Sequence, residues 1–227
     1  MSNILIVEDE KKIAELLRDY LKQAGFDIHI LTRGDKVIPW IKNNLLDIIL
    51  LDLMLPGMNG IEVCRDIRKF SQIPIIMITA QTEEIDRLLG LELGADDYIS
   101  KPFSPREVVA RVKAVLRRVG QSSSAGNEIE SIGIRLNEET HQIWINEQEV
   151  SFTPVEFGLL KVFISNPERV FSREELLNKV QGYDFVGYDR TIDTHVKNLR
   201  KKLTKHGIDN AIFSVYGVGY RLQSLVE

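Results

Sequence analysis

Over the first 118 residues of this 227-residue chain, short strand-like runs alternate with segments of helical period. The runs fall near 3–7, 27–31, 47–51, 74–78 and 97–100. The helical segments fall near 11–24, 35–43, 60–69, 83–93 and 105–118. Few architectures accept that alternation: strands joined through helices form βαβ units around a parallel sheet. Runs such as Ile48-Ile-Leu-Leu51 lack an inside–outside alternation, as expected of strands covered by helices on both faces. The last helical segment carries a start signal, with Ser104 as cap, Pro105 in the first turn and Glu107 completing a capping box.

Open sheets of this kind handle ligands at the carboxyl ends of their strands. Four runs end in residues equipped for such chemistry. Glu8 and Asp9 follow Ile4–Val7, Asp52 closes Asp47–Asp52, Thr79 follows Pro74–Ile78, and Lys101 follows Tyr98–Ser100. Alone, each has a plainer role as helix cap, strand-end hydroxyl or surface charge. Together, on neighbouring strands, they form a kit for phosphoryl chemistry. Clustered carboxylates raise one another's pKa or recruit a cation. Oxygen donors with positions left open suit Mg²⁺, which neutralises charge on a transferring phosphoryl group. Carboxylates also serve as nucleophiles. Asp52 is the best placed, because the strand end fixes it and Met54-Leu-Pro-Gly57 follows as a loop. The Met54 backbone carbonyl is a further candidate ligand. Lys101 supplies a positive point charge, Thr79 a hydroxyl donor, and small Ala80 leaves access.

Composition narrows the classes. Hydrophobic residues make up 44% and charged residues 27%, as in a globular chain. No apolar stretch approaches the roughly 18 residues that span a bilayer, and the N-terminus lacks the pattern of a signal peptide. Cys64 is the only cysteine, so no internal disulfide forms. A reducing cytoplasm is the expected compartment. Residues 1–120 carry 17 basic and 18 acidic side chains, residues 121–227 carry 12 and 15. Neither half is basic overall, so any contact with nucleic acid must come from a local patch.

Val119-Gly-Gln-Ser-Ser-Ser-Ala-Gly-Asn127 is small, polar and flexible, and reads as an interdomain linker. The expected division is a first domain over 1–118, a linker over 119–128 and a second domain over 129–227. Short alternating runs over 129–152 predict a small antiparallel sheet, with Trp144 in its core. Thr153-Pro-Val-Glu156 and Ser172-Arg-Glu-Glu175 are capping boxes that open helices to about Asn166 and Val180. A helix near 190–205 and a hairpin over Phe213–Arg221 follow, the order of a winged helix-turn-helix.

The helix near 190–205 divides by face. Ile192, Val196, Leu199 and Leu203 repeat at helical spacing and point to a core. Arg190, Thr194, Lys197, Asn198, Lys201 and Lys205 take the other side, flanked by His195 and Lys202. The span 189–206 holds six basic and two acidic residues. A solvated amphipathic helix would look similar. The mixture of Arg, Thr, Lys and Asn on one face also suits phosphate contacts and base-edge readout.

At this point the chain resembles a known family. Val7-Glu-Asp-Glu10, Leu51-Asp-Leu-Met-Leu-Pro-Gly57, Ile78-Thr-Ala80 and Gly94-Ala-Asp-Asp-Tyr-Ile-Ser-Lys-Pro-Phe103 are similar to the receiver domain of bacterial response regulators. Arg190–Arg200 and Tyr216-Gly-Val-Gly-Tyr-Arg221 resemble the recognition helix and wing of the OmpR/PhoB class. The resemblance implies a five-stranded parallel sheet of order 2-1-3-4-5 with helices on both faces, followed by an α+β winged-helix domain.

It further implies that a sensor histidine kinase phosphorylates Asp52, that Glu8, Asp9, Asp52 and the Met54 carbonyl bind Mg²⁺, and that Lys101 and Ala80 line the phosphoryl site. Thr79 and Tyr98 form the switch pair. A two-fold dimer uses Arg87–Glu107, Asp97–Arg111 and Asp96–Arg118 as cross-subunit pairs. Arg190, Thr191, Thr194, His195, Lys197, Asn198, Lys201, Lys202, Tyr216, Gly217 and Arg221 contact promoter DNA, and the loop Gln181–Tyr188 meets RNA polymerase.

The implied function is transcription control, in one branch of the class over envelope-stress and drug-efflux genes, without membrane contact and without enzymatic activity beyond the phosphorylation and dephosphorylation of Asp52. Asn198 and Tyr216 replace arginines found in some relatives, so base preference does not transfer. Two rivals remain. An Asp-nucleophile phosphatase or phosphotransferase of the haloacid-dehalogenase kind would want Asp-x-Asp, where this chain has Asp52-Leu-Met54. A signalling adaptor would use the second domain to bind protein only.

Overall fold

The structure is a computed structural model that describes residues 2–80, 94–120, 128–181 and 190–223, the side chains of 79, 118–120, 128, 181, 190 and 191 excepted. The chain divides into two compact units, Met1–Arg117 and Arg118–Glu227.

The first unit is built on strands β1 (Asn3–Val7), β2 (Asp27–Leu31), β3 (Ile48–Asp52), β4 (Ile75–Thr79) and β5 (Asp97–Ser100). All adjacent pairs are parallel and the order is β2-β1-β3-β4-β5. The apolar runs explain the layers. Alternate residues of each strand enter opposite cores. Leu5, Val7, Ile49, Leu51, Ile75 and Met77 pack with α2 (Val37–Ile41) and α3 (Gly60–Ile67). Ile4, Ile6, Ile48, Leu50, Ile76 and Ile78 pack with α1 (Lys11–Gln23) and α4 (Pro105–Gly120). A strand between two apolar layers has no polar face, which is why the central runs show none, while the edge strand β2 exposes Asp27 and His29. The helix expected over 35–43 is shorter: a 3-10 turn over Gly34–Lys36 leads into α2, with Pro39 inside its five residues. The segment expected as a helix over 83–93 lies outside the described residues.

The second unit opens with an antiparallel sheet, β6 (Glu128–Ser131), β7 (Ile134–Asn137), β8 (Gln142–Ile145) and β9 (Gln148–Glu149). Ile134, Leu136, Ile143 and Ile145 face a core shared with α5 (Pro154–Ile164), α6 (Arg173–Gln181) and α7 (Arg190–Lys205). Trp144 corrects the sequence expectation. It alternates outward from Ile143 and Ile145, half-buried, with the Arg135 guanidinium 4.8 Å over its ring.

The Thr153 capping box closes as expected: the Thr153 amide donates to Glu156 at 2.9 Å, and the Glu156 amide donates back to the Thr153 hydroxyl at 3.4 Å. Ser172 accepts from the Glu175 amide at 3.0 Å. The wing is larger than the expected hairpin. β11 (Ile212–Val215) and β12 (Gly219–Leu222) are joined by β10 (Phe171–Ser172), which pairs antiparallel with β12.

Candidate functional site

Strand order makes β1 and β3 neighbours, with Val7 level with Leu51. The residues just past them therefore meet. Oxygen atoms of Glu8, Asp9 and Asp52 lie within 4.8 Å of one another. Glu8 and Asp52 are buried at 2% and 4% exposure, while Asp9 is exposed. Lys101, two strands away and just past β5, reaches across. Its Nζ lies 2.8 Å from Glu8 Oε2 and 2.5 Å from Asp52 Oδ2. The Met54 amide donates to Asp52 Oδ1 at 3.0 Å, so both Asp52 oxygens are held.

Burial pushes the Glu8 carboxyl up to about 7. The Lys101 hydrogen bond opposes that shift and the Asp52 charge adds to it. Burial alone would lower the Lys101 ammonium, but its bonds to Asp52 and Glu8 raise it on balance. The pocket gathers three carboxyl groups, and Lys101 is bonded to two of them, Glu8 and Asp52.

The loop after Asp52 is pressed against its own strand. A Cβ on Gly60 would lie 2.1 Å from the Asp52 carbonyl oxygen, and the Gly60 amide donates to the Leu53 carbonyl at 2.9 Å. Asn59 caps α3 by accepting from the Glu62 amide at 2.8 Å. Sequence reasoning missed Gly60; the signal was Asn-Gly placed directly before a helical period.

Ala80 is exposed beside the pocket, and Tyr98 is half-buried against the core that holds α2 and α3. Thr79 ends β4 level with Ser100, and its side chain is not described. Met54 itself is 63% exposed. Cys64 is fully buried, and burial pushes its thiol up to about 11. The folded chain is therefore expected to leave Ellman's reagent unreacted at pH 8 and to titrate one thiol in denaturant. Fast labelling of the native chain would contradict that burial.

The charged face on α4 and β5 is partly closed within one chain. Arg111 Nη1 lies 3.1 Å from Asp97 Oδ2, and its Nη2 lies 2.8 Å from Glu107 Oε1. Asp96 requires a correction. Expected at an exposed interface, it is 0% exposed; it accepts from the Ile75 amide at 3.0 Å and from Arg68 Nη2 at 3.1 Å. The same guanidinium donates to the Gly94, Ser71 and Ile73 carbonyls. Asp96 thus belongs to a buried clamp around Arg68 at the amino ends of β4 and β5. The Arg87 residue and the Arg118 side chain lie outside the described residues.

On α7, Lys197 and Lys201 are exposed and Asn198 half-buried, so the basic face is real. Three expected contact residues stand elsewhere. His195 is 1% exposed; at 100° per residue it lies about 40° from Leu199 and about 120° or more from Lys201 and Lys197. Thr194 is 5% exposed, next to Asp193, which Arg173 of α6 reaches at 2.7 Å. Lys202 turns inward to the buried Glu156 at 2.6 Å and the Ser151 carbonyl at 3.1 Å. At the wing, Tyr216 is fully exposed and Gly217 exposed, while Arg221 donates to Glu168 at 3.0 Å. The Arg190 and Thr191 side chains and the loop 182–188 lie outside the described residues.

An α/β unit with an acidic pocket at its strand ends, followed by a winged helix, defines a phosphorylation-type receiver joined to a DNA-binding effector. The comparisons with known proteins agree. Residues 4–113 match the response regulator receiver domain, and residues 147–222 match the C-terminal domain of transcriptional regulatory proteins. The chain is 50% identical over 222 residues to transcriptional regulatory protein BaeR of Escherichia coli O6:H1, covering 97% of this chain and 92% of that one. It is 46% identical to transcriptional regulatory protein ResD of Bacillus subtilis, covering 98% and 96%. Among solved structures, response regulator DrrB, an OmpR/PhoB homologue of Thermotoga maritima, aligns with a TM-score of 0.52 at 26% identity, covering 99% of this chain and all of that one. The chain belongs to the OmpR/PhoB family of two-component response regulators and is a transcription regulator with a DNA-binding domain. No helix among the described residues is long and apolar enough to cross a membrane.

Proposed function

We propose that Asp52 is the phosphoacceptor of this regulator and that its phosphorylation by a sensor histidine kinase drives dimerisation and promoter binding. The observation that carries this reading is the convergence of Glu8, Asp9 and Asp52 within 4.8 Å, with Lys101 bonded to Glu8 and Asp52. An Asp52 oxygen attacks phosphorus as the P–N bond of the donor's phosphohistidine breaks, and the electron pair leaves with the imidazole. Lys101 stays protonated beside both carboxylates and contacts the incoming phosphoryl oxygens.

The donor set fits Mg²⁺. It is all oxygen, and Asp9 is open to solvent. Glu8, Asp9, Asp52 and the Met54 carbonyl would hold the ion, which when bound neutralises charge on the phosphoryl group. Thr79, Ala80 and Tyr98 complete the phosphoryl site and its switch. The wild-type chain is expected to take label from acetyl phosphate in the presence of Mg²⁺ and to lose that labelling in EDTA. Labelling unaffected by EDTA would reject the metal assignment. Its own chemistry ends at Asp52, and its compartment is the cytoplasm. Sustained turnover of a small phosphate ester would favour the phosphatase reading instead.

The dimer pairs Arg87 with Glu107 and Asp97 with Arg111; the third expected pair, Asp96–Arg118, is left out because Arg68 and the Ile75 amide hold Asp96. A two-fold partner presents the same residues, so pairs made within one chain re-form across two. Two winged helices then meet half-sites about 10–11 bp apart. Arg190, Thr191, Lys197, Asn198 and Lys201 face the DNA with Tyr216 and Gly217, and the loop 181–188 meets RNA polymerase. Envelope-stress and drug-efflux genes are the proposed targets. DNA affinity should fall steeply with salt, and Lys197→Ala with Lys201→Ala should reduce the slope of log K against log salt by about two. A flat salt response, or unchanged DNA retention after alanine at Arg190, Lys197 and Lys201, would favour the adaptor.

A further inference from the structure

The wing and α7 must meet one duplex together, and the residues assigned to DNA contact do not hold them together. Tyr220 of β12 does. It is 5% exposed, and its hydroxyl donates to Oδ1 of Asp193, in the first turn of α7, at 2.7 Å. The same oxygen accepts from Nε of Arg173, the first residue of α6, at 2.7 Å. Two guanidinium groups lie over the Tyr220 ring, Arg173 at 5.2 Å and Arg200 at 5.4 Å from its centroid. Arg200, on α7, continues to the other strand of the hairpin. It donates to the Ile212 carbonyl and to the Ser214 hydroxyl, both at 2.9 Å. Beside Tyr220, a Cβ on Gly219 would lie 1.9 Å from the Phe171 carbonyl, so β12 is pressed against β10 just ahead of α6. Both helices of the helix-turn-helix and both strands of the hairpin therefore converge on one tyrosine. Burial and the Asp193 bond hold its phenol above the ordinary range, so it remains a donor.

We propose that Tyr220, with Asp193, Arg173 and Arg200 around it, is a positioning residue for DNA recognition: it sets the angle between the wing and α7. The inference rests on the DNA-binding reading above. With the angle set, the wing tip and the basic face engage a duplex as one body, and a sequence is accepted only if it suits both. With the angle loosened, each element still meets phosphates, but the two no longer constrain one another. Charge-driven binding to any sequence persists, and selective binding weakens.

The test uses the full chain and two probes, a duplex that the wild type selects from a random-sequence pool and a scrambled duplex of the same length. Tyr220→Phe keeps the ring beneath the guanidinium groups and removes only the hydroxyl. It is expected to weaken binding to the selected duplex about tenfold, the worth of one hydrogen bond to a charged group. The scrambled duplex should change less than about twofold, with the salt slope unaltered. Amide exchange over residues 215–221 should quicken. Asp193→Asn also removes a negative charge, so it should lose the same discrimination while binding the scrambled duplex more tightly. Equal weakening on both duplexes in step with a lower melting temperature would mean that Tyr220 only supports the fold, and would overturn the proposal. An unchanged ratio in both variants would overturn it too. If the wild type selects no duplex at all, the DNA-binding reading itself fails and takes the positioning role with it.

Discussion

Asp52→Ala is expected to abolish phosphorylation by acetyl phosphate, a loss of about a thousandfold or more, as when a nucleophile is removed from a site built around it. The fold should survive. Asp52 sits at a strand end rather than inside the hydrophobic layers, and Lys101 keeps Glu8 as a partner at 2.8 Å. Removing Asp52 also removes one of the influences that raise the Glu8 carboxyl. The measurement is phosphate incorporation alongside a thermal melt. Full labelling of a folded Asp52→Ala chain would place the phosphoryl group elsewhere, and the reading of the pocket would fail.

Gly60→Ala should have the second largest effect, with a sign opposite to helix propensity. In an exposed helix, alanine in place of glycine gains about 1 kcal/mol. Here the new Cβ would meet the Asp52 carbonyl oxygen at 2.1 Å and the Leu53 Cα at 2.9 Å, both backbone atoms without a rotamer to yield. Either α3 or the end of β3 must shift. Overpacking costs typically 1–3 kcal/mol, and a contact this close with rigid partners belongs at the top of that range. For a unit of this size that is a fall of roughly 10 °C in melting temperature. The displaced atoms carry Asp52, so labelling should fall with stability. A variant as stable and as readily labelled as the wild type would show that the close approach is not a constraint.

What could be read from the sequence divides along physical lines. The five parallel strands and the pocket at their ends were legible because the central strands β1, β3 and β4 are apolar on both faces and each pocket residue carries its own chemistry. The Thr153 box was legible because capping is local, settled within four residues. What escaped depends on partners far along the chain. Asp96 and Asp97 are adjacent and alike in type, yet strand alternation sends one to Arg68 and the other to Arg111. Lys202 reads as one more lysine on a basic helix until Glu156, 46 residues earlier, is found beside it. β10 has two residues, too few for any periodicity, and exists because β12 pairs with it. Asp193 and Tyr220 carry no signal of their own, since neither residue names its partner.

The burial of Cys64 has a practical consequence. It is the chain's single thiol and it is 0% exposed. A cysteine introduced at an exposed position such as the wing tip would be the sole site a fluorophore reaches in the native state. Distances from wing to duplex can then be followed spectroscopically without first engineering a cysteine-free background.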